Sequence, residues 1–261
     1  MPIEQLLRPS YAEQRRALVG PEASYELRPG SPGRRTPRLP TRTSDITRGG
    51  ATAGAGEPTV LSDGTTSGDT CHVDVVDSSG LMVSATPSGG WLQSSPVIPE
   101  LGFCLGTRAQ MFWLEPGLPT SLAGSRRPRT TLSPSLVTRD GQPCLAFGTP
   151  GGDQQDQWQL AFLLAHLHGG LDLQAAIDAP MFHTAHFPSS FYPRQAQPGR
   201  LVLEARVAPE VAEDLRQRGH DVEIAGPWTQ GRLSAVARDL ESGFLRAAAN
   251  ARGMQGYAAG R

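Results

Sequence analysis

Residues 70–88 read TCHVDVVDSSGLMVSATPS, and the reading of this stretch decides the fold. Residues 71–77 and 81–86 are two valine-containing, strand-like runs, and Ser78-Ser79-Gly80 between them supplies turn-forming residues, so the stretch is expected to form a hairpin. Its beginning is marked from upstream. Over residues 28–69 the composition is Pro, Gly, Ser, Thr and Arg without sustained periodicity, as in Gly30-Ser31-Pro32-Gly33 and Gly49-Gly50-Ala51-Thr52-Ala53-Gly54, which predicts a flexible, partly disordered linker. The change near residue 70 divides the chain into an upstream region, 1–69, and a globular region, 70–261. Within the first, Ser10-Tyr11-Ala12-Glu13 fits a capping box and starts a short helix running to Leu18, with too little apolar surface to stand alone.

Downstream of the hairpin, further strands are expected at 144–148, 201–204, 222–224, 233–238 and 244–248. Between them, residues 156–168 read as a helix that is apolar almost all round and so buried on more than one side, ended by Gly169-Gly170. Residues 210–218 read as a second helix after Pro209, burying Val211 and Leu215 and ending at Gly219. Strands and helices in this order predict an α/β or α+β layered domain. No internal repeat is present.

The chain has 261 residues, 24 basic against 25 acidic, and a formal net charge of -1, which argues against nucleic acid as a partner. All of the cations are arginine. Without lysine the chain cannot form a Schiff base or supply a phosphate-loop or kinase lysine. The longest largely apolar run, 160–167, is far shorter than the roughly 18 residues of a membrane helix, so no membrane association is expected. Residues 1–16 are polar with no secretory core, so a cytoplasmic location is expected. Cys71, Cys104 and Cys144 are too widely spaced for a paired-cysteine zinc site or a disulfide framework and read as buried small hydrophobes.

Four constellations can carry chemistry. His183 and His186, with His166 and His168 upstream, allow a metal-dependent hydrolase, but no carboxylate-histidine helix motif accompanies them and His166 and His168 point to different helix faces, so no metal or other cofactor is assigned. Gly148-Thr149-Pro150-Gly151-Gly152 is either a turn after a strand or a loop whose amides face an anion. Arg126-Arg127-Pro128-Arg129-Thr130-Thr131 is either a solvated basic loop or a carboxylate clamp. Thr70 is an ordinary strand-start residue in an uncut chain. If the chain is cut before it, its own α-amine, with a reference pKa of roughly 7.7 to 8.0, becomes a general base beside its hydroxyl, and neither lysine nor histidine is required.

The order of these motifs resembles a known family. Thr70-Cys71-His72, Val75-Val76-Asp77, Gly80 and Val83-Ser84-Ala85-Thr86 are similar to the start of the small subunit of γ-glutamyltransferases, N-terminal-nucleophile hydrolases that cleave themselves before a Thr-Thr-His-type sequence. Gly102-Phe103, the run 127–134, the run 148–152 and Ala179-Pro180-Met181-Phe182-His183 follow in family order. Residues 1–69 resemble the tail of the large subunit, through Tyr11-Ala12 and Glu26-Leu27-Arg28-Pro29-Gly30.

The resemblance implies an α+β fold, the αββα layered sandwich of N-terminal-nucleophile hydrolases, incomplete in this chain. It makes Thr70 the nucleophile, first for the Asp69–Thr70 bond and then for a small amide substrate such as the γ-glutamyl compound glutathione. Thr86 and Ser88 would hold the Thr70 hydroxyl, with Ser88 where the family usually has threonine. Gly151 and Gly152 would donate amides to the oxyanion, and Thr130 and Thr131 stand in for a serine pair that binds the substrate's α-carboxylate. Two positions depart from the pattern. Where the family has an acidic run that holds the glutamyl ammonium, this chain has Gly106-Thr107-Arg108-Ala109-Gln110-Met111, and Arg108 favours an anion. The family asparagine after the second threonine is Gly90 here. The resemblance also implies a large-subunit-like half that the chain lacks, so a non-catalytic fragment, or a subunit needing a separate partner chain, stands as the alternative reading.

Overall fold

The computed structural model describes residues 2–41, 44–45, 59–60, 66–67, 70–89, 95–192, 194–254 and 256–260. Most of the stretch expected to be a linker, with Asp69 at its end and Gly90 beyond the hairpin, lies outside the described residues. Two short helices open the chain, α1 (Ile3–Leu6) and α2 (Pro9–Arg16), followed by the two-residue strands β1 (Ser44–Asp45), β2 (Thr59–Val60) and β3 (Thr66–Ser67). Helix α2 begins one residue before the expected cap. Arg8 occupies the cap position without a side-chain hydrogen bond and Pro9 fills the first turn, where its fixed φ suits the helix and its missing N–H costs nothing.

Part of the upstream region is tied to the globular one. Ala23 donates its N–H to the Arg218 carbonyl at 2.7 Å, Tyr25 donates its hydroxyl to the Gly219 carbonyl, and Thr41 donates to Glu115.

The hairpin forms from β4 (Val73–Val76) and β5 (Met82–Ala85), paired antiparallel from Val73↔Ala85 to Val76↔Met82. A small antiparallel pair, β6 (Val97–Ile98) and β7 (Phe103–Cys104), precedes the main sheet. That sheet is built from β8 (Ser135–Arg139), β9 (Gln142–Gly148), β14 (Ser234–Arg238) and β15 (Leu245–Ala249), antiparallel throughout in the order β15-β14-β9-β8. Helices α3 (Gln155–Leu167) and α4 (Leu173–Asp178) lie between β9 and β10 (Phe182–Thr184) in the chain. After β11 (Gln195–Ala196), β12 (Arg200–Glu204), α5 (Pro209–Gln217) and β13 (Asp221–Ala225) complete a second sheet of order β10-β12-β13, in which β12 and β13 are parallel.

The alternation of side chains along β9 and β14 explains their unbroken apolar character. Leu145, Phe147 and Ala235 face one way, into a cluster with Trp158, Phe162, Leu173, Ile177 and Met181 of the helical side. Ala146 and Val236 face the other way, against Met82 and Val76 of the hairpin. A strand buried on both faces carries no polar alternation.

Several expectations need correction. Helix α3 buries Trp158 and Phe162 completely but leaves Leu160, Leu164 and Leu167 about half exposed, so one face is covered and not several. In α5 it is Ala212 that is buried, while Val211 is exposed and Leu215 only partly buried. Cys71 is exposed, on the outer face of the hairpin, and Cys104 and Cys144 are only partly buried. Strands β8 and β10 and helix α4 are absent from the sequence reading, being short or polar-flanked.

Two buried charged groups hold the far side together. Glu204, fully buried, accepts from Arg252 at 2.7 and 2.9 Å and from the amides of Gln230 and Met181 at 2.9 and 3.1 Å. Burial alone would raise its carboxyl, but Arg252 and the two amides together hold it below the ordinary glutamate value. Replacing Arg252 by methionine leaves that carboxylate buried with only the more distant Arg206, at 3.4 Å, as its cation, and is expected to cost about 3 kcal/mol in urea unfolding, with a smaller loss when Glu204 is made leucine as well.

His183 sits edge-on to the Trp158 ring at 5.6 Å and is buried, which lowers its pKa from 6.5 to about 4. The unfolded chain therefore takes up the proton first. This contribution, about 3 kcal/mol, is fully present above pH 6.5 and is lost as the pH falls toward 4. Urea midpoints measured across that window should decline for the wild type and decline less for His183→Gln.

Candidate active site

The hairpin places every second residue on one face, and on the face turned toward the main sheet these are polar from Thr70 to Asp74 and from Ser84 to Ser88, with the apolar Val76 and Met82 at the turn end. Thr70 Oγ1 lies 2.7 Å from Ser88 Oγ across the pair, and His72 Nδ1 lies 2.7 Å from Thr86 Oγ1. His72 Nε2 is 2.8 Å from Asp74 Oδ2, which also accepts from Ser234 of β14 at 3.0 Å. Ser84 donates to the Phe147 carbonyl of β9. Thr70 and Ser88 are thus directly paired, whereas the Thr86 hydroxyl is engaged by His72. The opposite face of the hairpin carries Cys71, Val73, Val75 and Val83, all exposed.

Opposite His72, β9 ends at Gly148. A Cβ there would lie 2.2 Å from His72 Cε1, so only glycine lets the imidazole pass against the strand. The chain then turns through Thr149 and Pro150 to Gly151, with φ 135°, and Gly152, with φ 58°. Both glycines are buried, and Trp158 of α3 packs under Gly151, where a Cβ would meet it at 2.4 Å. This is the start of the helical segment that leads into α3, where amides lack intrahelical acceptors and can face an anion.

The basic loop is drawn to this turn. With its carboxamide nitrogen facing them, Gln155 donates to the carbonyls of Thr131 and Thr149 at 3.1 and 3.2 Å. Gln159 joins Ser133 and Ser135, each at 2.9 Å. Thr130 is exposed, its hydroxyl oxygen accepting from Leu132 N, while Thr131 is half-buried. Asp153, next after the glycine pair, accepts from Ser190 N at 2.8 Å and from the Ser189 and Ser190 hydroxyls, and lies 3.8 Å from Arg129. From the same segment the buried Arg194 donates to the carbonyls of Gln110 and Phe112 at 2.9 and 2.7 Å. These bonds fix the short helical turn Thr107–Met111 that carries Arg108. Arg108 also stands close to the segment that follows β5, since a Cβ on Gly89 would lie 4.0 Å from Arg108 Nε.

A cavity of about 340 Å³ is lined by Thr70, His72, Asp74, Pro150, Arg232 and Asn250, together with the C-terminal residues 256–259. Thr70 therefore shares a cavity wall with the glycine turn through Pro150. Arg108, Thr130, Thr131, Gly151 and Gly152 do not line that cavity. His183 and His186 serve separate places. The first is buried on Trp158, and the second accepts from Gly199 N at 3.1 Å. Among the described residues, no group of three or more His, Cys, Asp or Glu side chains is placed to hold a metal ion.

Asp74, Asp153 and Arg194 were not singled out from sequence, and His72 entered only as part of a motif. For His72 and Asp74 a signal existed, the polar residues at every second position from Thr70. Asp153 and Arg194 gave none, since their partners are 37 and 84 residues away.

Comparison with known proteins shows the family. The chain matches the γ-glutamyltranspeptidase family over residues 1–260. It is 32% identical to the oxamate amidohydrolase proenzyme of Klebsiella pneumoniae over 74% of this chain and 36% of that protein. It is 27% identical to the glutathione hydrolase proenzyme of a Pseudomonas species over 90% of this chain and 36% of that protein. The solved structure of LmbA2991HD is 57% identical, with a TM-score of 0.87, matching 100% of this chain and 44% of that one. The chain thus spans about a third of the length of these two curated relatives. Motifs, fold and similarity along almost its whole length agree that this chain belongs to the γ-glutamyltranspeptidase family.

Proposed function

We propose that the chain is the nucleophile-bearing part of an N-terminal-nucleophile amidohydrolase and acyltransferase. The observation that carries this reading is the place of Thr70, whose hydroxyl pairs with Ser88 at 2.7 Å on a cavity wall shared with the glycine turn. In the first step the Thr70 oxygen attacks the Asp69 carbonyl, the Asp69–Thr70 C–N bond breaks, and the ester formed is hydrolysed by water. This leaves an Asp69 carboxylate and a Thr70 with both amine and hydroxyl free. The amine then takes the hydroxyl proton as Thr70 attacks a substrate amide. The amine product leaves with a proton, and the acyl group passes from the Thr70 ester to water or to an acceptor amine.

Gly151 and Gly152 are the candidates to stabilise the developing oxyanion, a contribution of about 3 kcal/mol per donor in comparable sites. Thr130, Thr131 and Arg108 are the candidates for the acyl group's carboxylate. The substrate class is a small amide with a carboxylate in its acyl part, γ-glutamyl compounds such as glutathione among them. Arg108, in a segment without an acidic residue, favours donors that lack an ammonium group. The similarity to a protein named oxamate amidohydrolase points the same way.

The division into a tail, 1–69, and a catalytic part, 70–261, belongs to this reading, as does the αββα sandwich. In support, the main sheet has helices on one face and the hairpin on the other, and Val73, Val75 and Val83 remain exposed on the hairpin's outer face. A large-subunit-like half would cover that face and the leucines of α3, which favours a subunit that works with a partner over a self-sufficient enzyme.

Intact-mass measurement of the purified chain, alone and assembled with its upstream half, should reveal a piece beginning at Thr70, and Thr70→Ala should abolish it. Assembled wild-type protein that stays whole and turns over no amide overturns the reading. In the same preparation Arg108→Ala should raise KM for carboxylate-bearing amides about tenfold, and Arg108→Asp should shift preference toward γ-glutamyl donors, as read from kcat/KM on paired substrates.

A further inference from the structure

A cut before Thr70 leaves residues 1–69 and 70–261 joined by non-covalent contacts, and the described residues make such contacts at two places. At the first, the Ala23 N–H donates to the Arg218 carbonyl at 2.7 Å, the Tyr25 hydroxyl donates to the Gly219 carbonyl, and Arg218 donates to the Pro21 carbonyl at 3.2 Å. At the second, Arg38 Nη1 donates to the Gly117 carbonyl at 3.0 Å, and Thr41 donates its N–H and its hydroxyl to the Glu115 carboxylate, each at 3.0 Å. Strand β1 then runs parallel to β11, with Ser44 beside Gln195 and Asp45 beside Ala196. This second place touches the segment that carries Arg108. Glu115 and Gly117 sit in a loop closed by hydrogen bonds from Trp113 N to the Thr120 carbonyl and from Leu122 N to the Trp113 carbonyl, each at 2.9 Å. Arg194, directly before β11, donates to the Gln110 and Phe112 carbonyls and stacks on the Trp113 ring, its guanidinium carbon 4.7 Å from the centroid. The Arg194 backbone is left-handed, with φ 66°, a conformation that arginine keeps only where its neighbours fix it.

Resting on the readings of Thr70 as nucleophile and of Arg108 as part of the acyl group's carboxylate site, we propose that Arg38, Thr41 and β1 form a clasp that stays closed after the cut and holds the Thr107–Met111 turn in place, so that the severed upstream piece is part of the substrate-binding site. Glu115 is the positioning residue of this clasp and acts on Arg108 through the loop that continues the turn. The segment is gripped at both ends. Arg38 and Thr41 hold the loop at Gly117 and Glu115, while β1, by pairing with β11, fixes the residue next to Arg194, whose guanidinium holds the backbone at Gln110 and Phe112. A five-residue helical turn is too short to be stable by its own hydrogen bonds, so its position depends on such outside contacts. The side-chain bonds of the clasp are exposed and individually weak. Ala23 and Tyr25, however, tether the same piece upstream, and a clasp that opens recloses at high effective concentration. The cut falls at Asp69, beyond β1, and breaks none of these contacts.

The test is hydrogen exchange read by mass spectrometry beside steady-state kinetics, both on the assembled and cut protein. In the wild type the peptide containing Thr41 and the peptide containing Arg108 are expected to stay protected after the cut. Glu115→Ala should speed exchange in both, leave the peptide containing Tyr25 unchanged, and raise KM for carboxylate-bearing amides about three- to tenfold with kcat changed less than twofold. Glu115→Gln keeps an oxygen that can accept from Thr41, so its KM should fall between the two. A cut wild type in which the Thr41 peptide exchanges as fast as it does in urea overturns the clasp, even if the Glu115→Ala protein does not fold. So does a folded Glu115→Ala protein with unchanged exchange at Arg108 or with the wild-type KM. Arg108→Ala and Thr70→Ala separate the levels. A raised KM in Arg108→Ala beside a wild-type KM in Glu115→Ala sinks the clasp alone, a wild-type KM in both sinks the role of Arg108 and the clasp with it, and turnover that persists in Thr70→Ala sinks the nucleophile reading.

Discussion

The structure around the site depends on the contact between the polar end of the inner face of the β4–β5 hairpin and the backbone of β9 at Gly148. A polar ladder of hydroxyls, an imidazole and a carboxylate can be buried only if each member finds a partner, since a buried polar group left alone costs about 1–3 kcal/mol. Here the partners come from both sides of the interface. Ser234 on β14 reaches Asp74, and Ser84 reaches the Phe147 carbonyl, while the missing side chain at Gly148 makes room for His72. The hairpin is thereby docked in one register. A slip of one residue would turn Val73 and Val75 inward and carry Thr70 to solvent.

The second group of site residues is held by a different device. Asp153 follows the glycine pair and gathers the segments 189–190 and 129 around it, and Arg194 extends the reach to the segment with Arg108. None of these loops has much secondary structure of its own, so hydrogen bonds to a rigid anchor replace the ladder that a strand would offer. The anchor is rigid because α3 begins directly behind it, with Trp158 and Phe162 fully buried against the sheet. The two groups meet at Pro150, the residue between the sheet's end and the glycines.

Much of the fold was legible. The strands at 144–148, 201–204 and 233–238 and the two longer helices stand out because strong apolar content and glycine or proline stops lie within a few residues of each other. What failed had a common cause. Leu160, Leu164 and Leu167 read as buried because composition cannot distinguish a face covered within the chain from one left open. Helix α2 was placed by a capping pattern that the proline before it overrides. Within the site, the hairpin that follows Thr70 and the glycine turn were readable from local motifs. The pairing of Thr86 with His72, and the roles of Asp153 and Arg194, were not, since each depends on side chains brought together across the fold.

By itself, then, the amino-acid order determined the chemistry on offer: a chain without lysine, a threonine at a sharp change of composition, and two glycines after a strand. Local preferences act over a few residues, so those features could be read without knowing where anything lies in space. Only the tertiary structure decided which hydroxyl faces Thr70, which is held by an imidazole, and which arginine lies near the segment that follows β5. Those are distances between residues far apart in the chain, and packing two sheet faces against each other is what sets them.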